Sequence, residues 1–450
     1  MRTREFPVLS EDDEPLVGRL ALGLGDDTAR VLGYLLRRRT DPAVDDGPAN
    51  RLAIRVGTGL NRTAVSDALG RLERRELVTK TTVETDQGRP PAAWSARDGV
   101  DTTLDRVDAT HGARLLERAV AVADELGTSE PLRSPEPSVA DTSTTVPFEV
   151  GLNWFANTLH APLFAAQAGG AYERRGLDVA IQAFTGSDRA VRAVDEGTVD
   201  VAVSGAATVV RARAAGVTVV PLAPLYQRSM TVLYTTEAAF GGRLDGIEAV
   251  RGCRVGMPVG AETGILGRLF LSQSGVIDDV TVVDLSGEEE SDALATGRAD
   301  VVSGSIGDVR ELEAAGHTVD VLSVDGHFPI YGPTLVTGED TVRERPAALS
   351  GFLAGTVAGW RVAAFEPETA VRAIAAAEAA EETAEPKESA ETGSEAVAEL
   401  ERAVDRFGTS GDVADHGWGW HDAAGWQRLS TALGQVGLLG TPTEATEESG

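Results

Sequence analysis

Three apolar runs end in residues able to bind a small molecule. Phe148 to Leu152 breaks at Asn153 and Trp154, Val199 to Val203 at Ser204, and Gly216 to Leu225 at Tyr226. An amide, an indole, a hydroxyl and a phenol at strand ends suit ligand contact, because parallel strands of α/β sheets present their C-terminal ends to ligands. A second set of residues is cationic. In Asn61 to Leu77, Val65, Leu69 and Leu72 recur at helical spacing and face inward, which turns Arg62, Thr63, Ser66, Asp67, Arg71 and Arg74 outward. Arg51 to Lys80 sums to about +4 in a chain of formal net charge −29. A basic stripe kept on so acidic a protein points to a polyanion. Other chemistries are excluded: the single thiol, Cys253, can form neither an internal disulfide nor a cysteine-based zinc site. His416 and His421 straddle a Gly-Trp loop rather than sharing a helical face, and Asp284 to Asp292 reads as a solvated acidic loop. No metal and no cofactor is implied.

The elements that carry these residues fall into two regions. At 450 residues the chain exceeds one ordinary core, so roughly two to four domains are expected. Asp26 to Arg39 reads as a helix, Asn50 to Gly57 as a short helix, and Thr58-Gly59-Leu60 as the turn before the basic helix. Strands over Leu77 to Val83 and Ala92 to Ala96 follow, joined by a turn and Arg89-Pro90-Pro91. Ala109 to Leu126 is an amphipathic helix that could pair two copies in a homodimer or cap the first region. Between Gly127 and Val146 the composition is that of a linker, rich in Ser, Thr, Pro and Glu. From Pro147 onward β-branched runs alternate with Ala-rich helices, the pattern of an α/β fold. A low-complexity acidic insertion spans 375–403 and carries no assigned chemistry.

Acidic residues number 70 against 41 basic, and Lys80 and Lys387 are the only lysines. Such a surface stays hydrated at high salt. Met1 to Glu14 reads as no secretory leader, and no run approaches the ~18–20 apolar residues of a membrane span. The expectation is a cytoplasmic protein with no membrane partner.

Two resemblances sharpen this reading. G-L-N-R-T-A-V-S-D-A-L-x-R-L-E-R-R-E-L-V with G-R-P-P-A-A-W-S resembles the winged helix-turn-helix transcription regulators, over about residues 20–97. It implies double-stranded DNA as partner, with Asn61, Arg62, Thr63 and Ser66 near bases or adjacent phosphates, and Arg71, Arg74, Arg75 and Arg89 neutralising phosphates. The competing reading is that these arginines pair with Asp67, Glu73 and Glu76 on a solvated helix.

The stretches L-N-W-F…H-A-P-L-F-A-A-Q, G-A-Y-E-R-R-G-L-D-V-A-I, G-T-V-D-V-A-V-S and R-G-C-R-V-G…A-E-T-G resemble the thiamine-pyrimidine-precursor family of periplasmic-type binding proteins and its synthase relatives. That implies a type II periplasmic-binding-protein-like domain over 147–450, with lobe one at 147–235 and 334–450 and lobe two at 236–333. It also implies an aminopyrimidine-like small-molecule ligand. Trp154 and Phe155 would stack on its ring, Asn153, Asn157, Ser204 and Glu262 would hydrogen-bond it, and His160 and Tyr226 would line the wall. In the synthase branch a lysine and a histidine stand where this sequence has Ser204 and Thr208, and Gly326 to Gly338 lacks the cysteines of its iron motif. Binding without catalysis is therefore expected.

The fold class read from the sequence is α/β: a winged helix-turn-helix of α+β type within 15–127, a linker over 128–146, and the two-lobed domain. The function that follows is a ligand-responsive transcription regulator. A solute-binding receptor of an ABC transporter is the alternative, set second because it calls for an export signal, and a pyrimidine-precursor synthase comes last.

Overall fold

The computed structural model describes residues 8–40, 47–83, 90–128, 132, 145–286, 289–327, 329–380 and 393–439. Its first part is mostly helical. Helices α1 (Glu14–Leu24) and α2 (Asp26–Thr40) precede a short strand β1 (Ala49–Asn50), and α3 (Arg51–Thr58) and α4 (Arg62–Arg74) follow. Asn50 caps α3 by accepting from Ala53 N at 3.0 Å, and Asn61 caps α4 by accepting from Ala64 N at 2.9 Å. Gly59, at φ 72°, makes the left-handed turn between them that a side chain would disfavour. Strands β2 (Val78–Thr82) and β3 (Ala92–Ala96) form a hairpin, and β1 pairs with the far side of β3. Trp94 of β3 is fully buried, with Arg51 and Lys80 each 5.4 Å from its ring centroid.

The helix α5 (Val100–Leu126) runs 27 residues, about 40 Å at 1.5 Å per residue. Leu104 and Val107 belong to the N-terminal core, while Leu115, Leu116, Ala119, Val120 and Ala123 belong to the core of the larger part. The helix expected to pair two copies or to cap the first region thus packs within one chain. It packs along α14 (Pro346–Phe365). At Gly112 a Cβ would lie 2.6 Å from Ala354 N and Ser350 O, so the two backbones meet where only glycine fits. Between them Asp108 is buried with Arg361, which donates to it through both terminal nitrogens, and Arg175 approaches to 3.7 Å. Arg361 Nε also donates to the Arg19 carbonyl of α1 at 3.2 Å.

The larger part continues with β4 (Val146–Leu152), α6 (Ala161–Ala168), β5 (Leu177–Ala183), α7 (Ser187–Asp195), β6 (Val201–Ser204), α8 (Ala206–Ala214), β7 (Val219–Pro224) and β8 (Thr231–Thr236). Then come α9 (Glu237–Phe240), β9 (Arg254–Met257), α10 (Glu262–Gln273), β10 (Thr281–Asp284), α11 (Glu290–Ala295), β11 (Val301–Ser305), α12 (Ile306–Ala314) and β12 (Val319–Ser323). The chain closes with β13 (Thr334–Gly338), α13 (Glu339–Glu344), α14 (Pro346–Phe365), α15 (Pro367–Ala380), α16 (Gly393–Phe407), α17 (Gly411–His416) and α18 (Ala423–Gln435).

Two five-stranded sheets result, ordered β5-β4-β6-β13-β7 and β10-β9-β11-β8-β12. In each, one antiparallel strand arrives from the other half: β13 pairs antiparallel with β6 and β7, and β8 with β11 and β12. The chain therefore crosses between sheets near 225–230 and 324–333, and β8, inside the predicted lobe one, pairs in the second sheet. Pro221 and Pro224 lack a donor for the ladder, which matches β7's place at a sheet edge. Among the described residues α14 is long and apolar enough to cross a membrane by length and composition alone, but it packs as a core helix against α5, α6 and α15. Trp360, Trp418 and Trp426 are buried packing groups of the C-terminal helices and the loop between α17 and α18.

Candidate functional site

The loop after β4 meets the N-termini of α7 and α8 in a chain of hydrogen bonds. His160 Nε2 lies 3.2 Å from Asn153 Oδ1, Asn153 Nδ2 donates to Ser187 Oγ at 3.4 Å, and Gly205 N donates to the same hydroxyl at 3.0 Å. Burial depresses the His160 imidazole to about 4, so it is neutral. Ser204 is fully buried at the end of β6, its Oγ donating to the Gly205 carbonyl at 3.3 Å.

Opposite this seam, Glu262 opens α10 on the second sheet's lobe. Its carboxylate does not cap its own helix. It crosses to α8, where Ala207 N donates to Oε1 at 2.9 Å, and Thr208 N and Thr208 Oγ1 both donate to Oε2 at 2.8 Å. A helix N-terminus with free N–H groups favours an anion, and here the other lobe supplies it. Burial pushes the Glu262 carboxyl up, while the donated hydrogen bonds pull it back. The approach needs Gly205, because a Cβ there would lie 2.1 Å from Glu262 Cδ. Glu262→Ala should lower the unfolding free energy by about 2–3 kcal/mol, the worth of charge-assisted bonds at a helix start. Gly205→Ala should reproduce much of that loss by expelling the carboxylate. Urea unfolding measures both, and unchanged midpoints would show that the lobes are held by other contacts.

The remaining predicted ligand residues are placed unevenly. Trp154 and Phe155 meet edge to face at 5.6 Å, and Phe155 is 40% exposed. Asn157 serves its own turn instead, accepting from Leu159 N at 3.0 Å and donating to the Phe155 carbonyl at 3.2 Å. Tyr226 is fully buried after β7. Sequence reasoning missed Ser187, which joins Asn153 to Gly205, and also Thr158, Arg310 and Glu399. Glu399 stands 241 residues from Thr158 in the chain, so no local spacing could have pointed to it. His421 uses both ring nitrogens internally, Nε2 3.2 Å from the Leu222 carbonyl and Nδ1 accepting from Trp426 Nε1 at 3.0 Å. Among the described residues no group of three or more His, Cys, Asp or Glu is arranged to hold a metal ion.

The face predicted to read DNA is divided. Arg62, Thr63 and Arg74 are exposed and Ser66 is half-buried, but Asn61 is occupied as the cap of α4. Arg71 Nη1 donates to the Asp415 carbonyl of α17 at 3.4 Å and Arg75 Nη1 to the Gly23 carbonyl of α1 at 3.0 Å, so Arg71 ties the N-terminal region to the larger part and Arg75 braces it internally. Arg89 lies outside the described residues. The expected pairing with acidic neighbours on α4 is also redirected: Glu73 takes Lys80 at 3.2 Å and Trp94 Nε1 at 2.7 Å, and Glu76 takes Arg97 at 2.8 Å.

Residues 157–370 match the family described as NMT1/THI5 like. A formylaminopyrimidine-binding protein of Halalkalibacterium halodurans is 26% identical over 243 residues, 53% of this chain and 72% of its own length. A 4-amino-5-hydroxymethyl-2-methylpyrimidine phosphate synthase of Schizosaccharomyces pombe is 31% identical over 104 residues, 23% of this chain and 29% of its own length. Among solved structures, the periplasmic aliphatic sulphonate binding protein SsuA of Escherichia coli superposes with TM-score 0.52 at 14% identity, covering 66% of this chain and 95% of that one. Residues 157–370 are thus similar to the NMT1/THI5-like family, and the region carries the periplasmic-binding-protein fold.

These findings overturn two expectations. The reading as a transcription regulator is corrected, because the relative matched over most of its length and the structural neighbour are both solute-binding proteins. The cytoplasmic setting is not kept, because the neighbour that shares the fold is periplasmic. The α/β fold of the C-terminal region stands, and what precedes it is mostly helical.

Proposed function

We propose, from the premise that residues 157–370 form an NMT1/THI5-like binding domain, that the chain is a solute-binding receptor whose two lobes close on a small aminopyrimidine-class solute without transforming it. It would serve a transport system on the extracytoplasmic side. The observation that carries this reading is the cross-lobe bonding of Glu262 to α8, opposite the Asn153–Ser187–Gly205 seam. Polar groups from both lobes converge there on the strand ends where such folds take ligands. Ser204 offers no amine for a Schiff base, which supports binding over synthesis.

The N-terminal helix, turn and helix with the sheet β1-β3-β2 support a winged-helix reading of that region's fold. Joined to the first lobe by α5 and the Asp108 pair, it acts here as a fixed shoulder of the receptor.

Calorimetric titration of the full chain with formylaminopyrimidine tests the proposal. One-to-one saturable binding is expected, with a change in Trp154 fluorescence and recovery of the solute intact. Absence of heat and of spectral change up to millimolar solute would overturn it.

A further inference from the structure

Two polar groups at the junction of the lobes have no part in the seam described above. Glu399 of α16 is 6% exposed, and its oxygens are held from opposite lobes: Thr158 Oγ1 donates to Oε2 at 2.7 Å, and Arg310 of α12 brings Nη1 to 3.1 Å from Oε1. Each carboxylate oxygen keeps a further lone pair for a third donor. Tyr226 is fully buried, its ring edge-on to Trp360 at 4.9 Å, and among the described residues its Oη has no hydrogen-bond partner. The Glu399 charge is close enough to add to burial in pushing the phenol well above its ordinary range. A buried O–H without an acceptor is unfavourable, and it persists most readily where something else completes it.

We propose that Glu399 and Tyr226 read one edge of the bound solute, Glu399 accepting from its amino group and Tyr226 Oη donating to the neighbouring ring nitrogen. This rests on the aminopyrimidine reading given above. An aminopyrimidine edge sets an N–H donor beside a bare ring nitrogen. An ionised carboxylate only accepts and the phenol can donate, so the two pairs are complementary. The corresponding oxo ring reverses the order, setting an oxygen lone pair against the carboxylate and an N–H against the phenol. Such a site rejects it because buried groups would be left unpaired. Arg310 stands on the second lobe and Thr158 on the first, so the carboxylate that would read the amino group also ties the two lobes together.

The test uses the full chain and two probes, formylaminopyrimidine and the same ring with its amino group replaced by oxo. Calorimetry on the wild type, Glu399→Gln and Tyr226→Phe is paired with thermal melting of each. The wild type should prefer the amino probe by about 100-fold or more. Glu399→Gln can turn its amide nitrogen to an oxo oxygen, so that preference should shrink below about tenfold, with amino binding weakened and oxo binding gained. Tyr226→Phe should melt no lower than the wild type, having lost only an orphaned hydroxyl, yet bind the amino probe about tenfold more weakly. If Glu399→Gln weakens both probes equally, or changes neither, Glu399 is only a brace between lobes and the proposal fails. A wild type that binds neither probe overturns the receptor reading, and this subsite with it. A wild type that binds the amino probe, with its preference retained in Glu399→Gln, overturns the subsite alone.

Discussion

Asp108→Ala should remove about 3–5 kcal/mol of unfolding free energy, because it leaves the Arg361 guanidinium buried without its counter-charge. Arg361 is 6% exposed and donates to both Asp108 oxygens, and Arg175, whose side chain is 12% exposed, loses the same carboxylate. The effect is global because of where the pair sits. α5 contributes to both hydrophobic cores, and Arg361 reaches from α14 to the Arg19 carbonyl of α1. Urea unfolding of the variant should therefore move the signals of Trp94, in the N-terminal core, and of Trp360, in the larger one, together to lower urea. Adding Arg361→Met to Asp108→Ala should recover part of the loss by replacing the stranded charge with an apolar chain. A variant in which only the Trp94 transition moves would show that the two cores are not coupled through α5.

Acid should destabilise the protein steeply just below neutrality. His111, His160 and His421 are buried and neutral, and burial depresses them from 6.5 to about 3, about 4 and about 4. Arg114, Arg75 and Arg361 add to the effect on His111, and Arg118 on His421. Above pH 6.5 the imidazoles are neutral in both the folded and unfolded chain, so their contribution is fully present. Below it the unfolded chain takes up protons that the folded chain refuses, and stability falls with pH. Each histidine supplies a slope of about 1.4 kcal/mol per pH unit, so the three together reach about 4. Asp308, pushed up to about 6 by burial, acts in the opposite sense, as do Glu262 and Asp108, whose carboxyls are also raised. As pH falls, these carboxyls take up protons in the folded chain earlier than in the unfolded one, which trims the slope. The difference between wild type and His111→Gln cancels that background. The stability gap between the two should change by about 1.4 kcal/mol per pH unit between pH 6 and pH 4.5. A gap that stays constant over that range would refute the assignment of His111 as a proton-refusing group.

Much of the scaffold was legible because it is written in short-range patterns. The glycine turn between α3 and α4, the hairpin β2–β3 and the apolar runs of β6 and β7 are properties of a few neighbouring residues. The strand-end residues Asn153, Ser204 and Tyr226 could be singled out for the same reason, since a polar group closing an apolar run is a local signal. Asn157 was misjudged because an Asn at a turn can satisfy itself, and sequence does not say which partner its side chain takes. The outward arginines of α4 were read correctly as a helical face, but Arg71 and Arg75 found carbonyl partners at Asp415 and Gly23 that no periodicity reveals. That basic face led to a nucleic-acid partner, which the solute-binding relative and the shared fold do not support.

The amino-acid sequence by itself determined the elements of 26–126 and the first strands of the larger part, the acidic surface, the absence of a cysteine framework and the set of polar strand ends, because each depends on composition or on residues within a turn or two of one another. Only the tertiary structure decided that Glu262 caps a helix of the opposite lobe, that Glu399 stands between Thr158 and Arg310, and that α5 joins two cores. Those contacts link residues tens to hundreds of positions apart, and a carboxylate's partner is set by which chain segments the folded topology brings within hydrogen-bond reach.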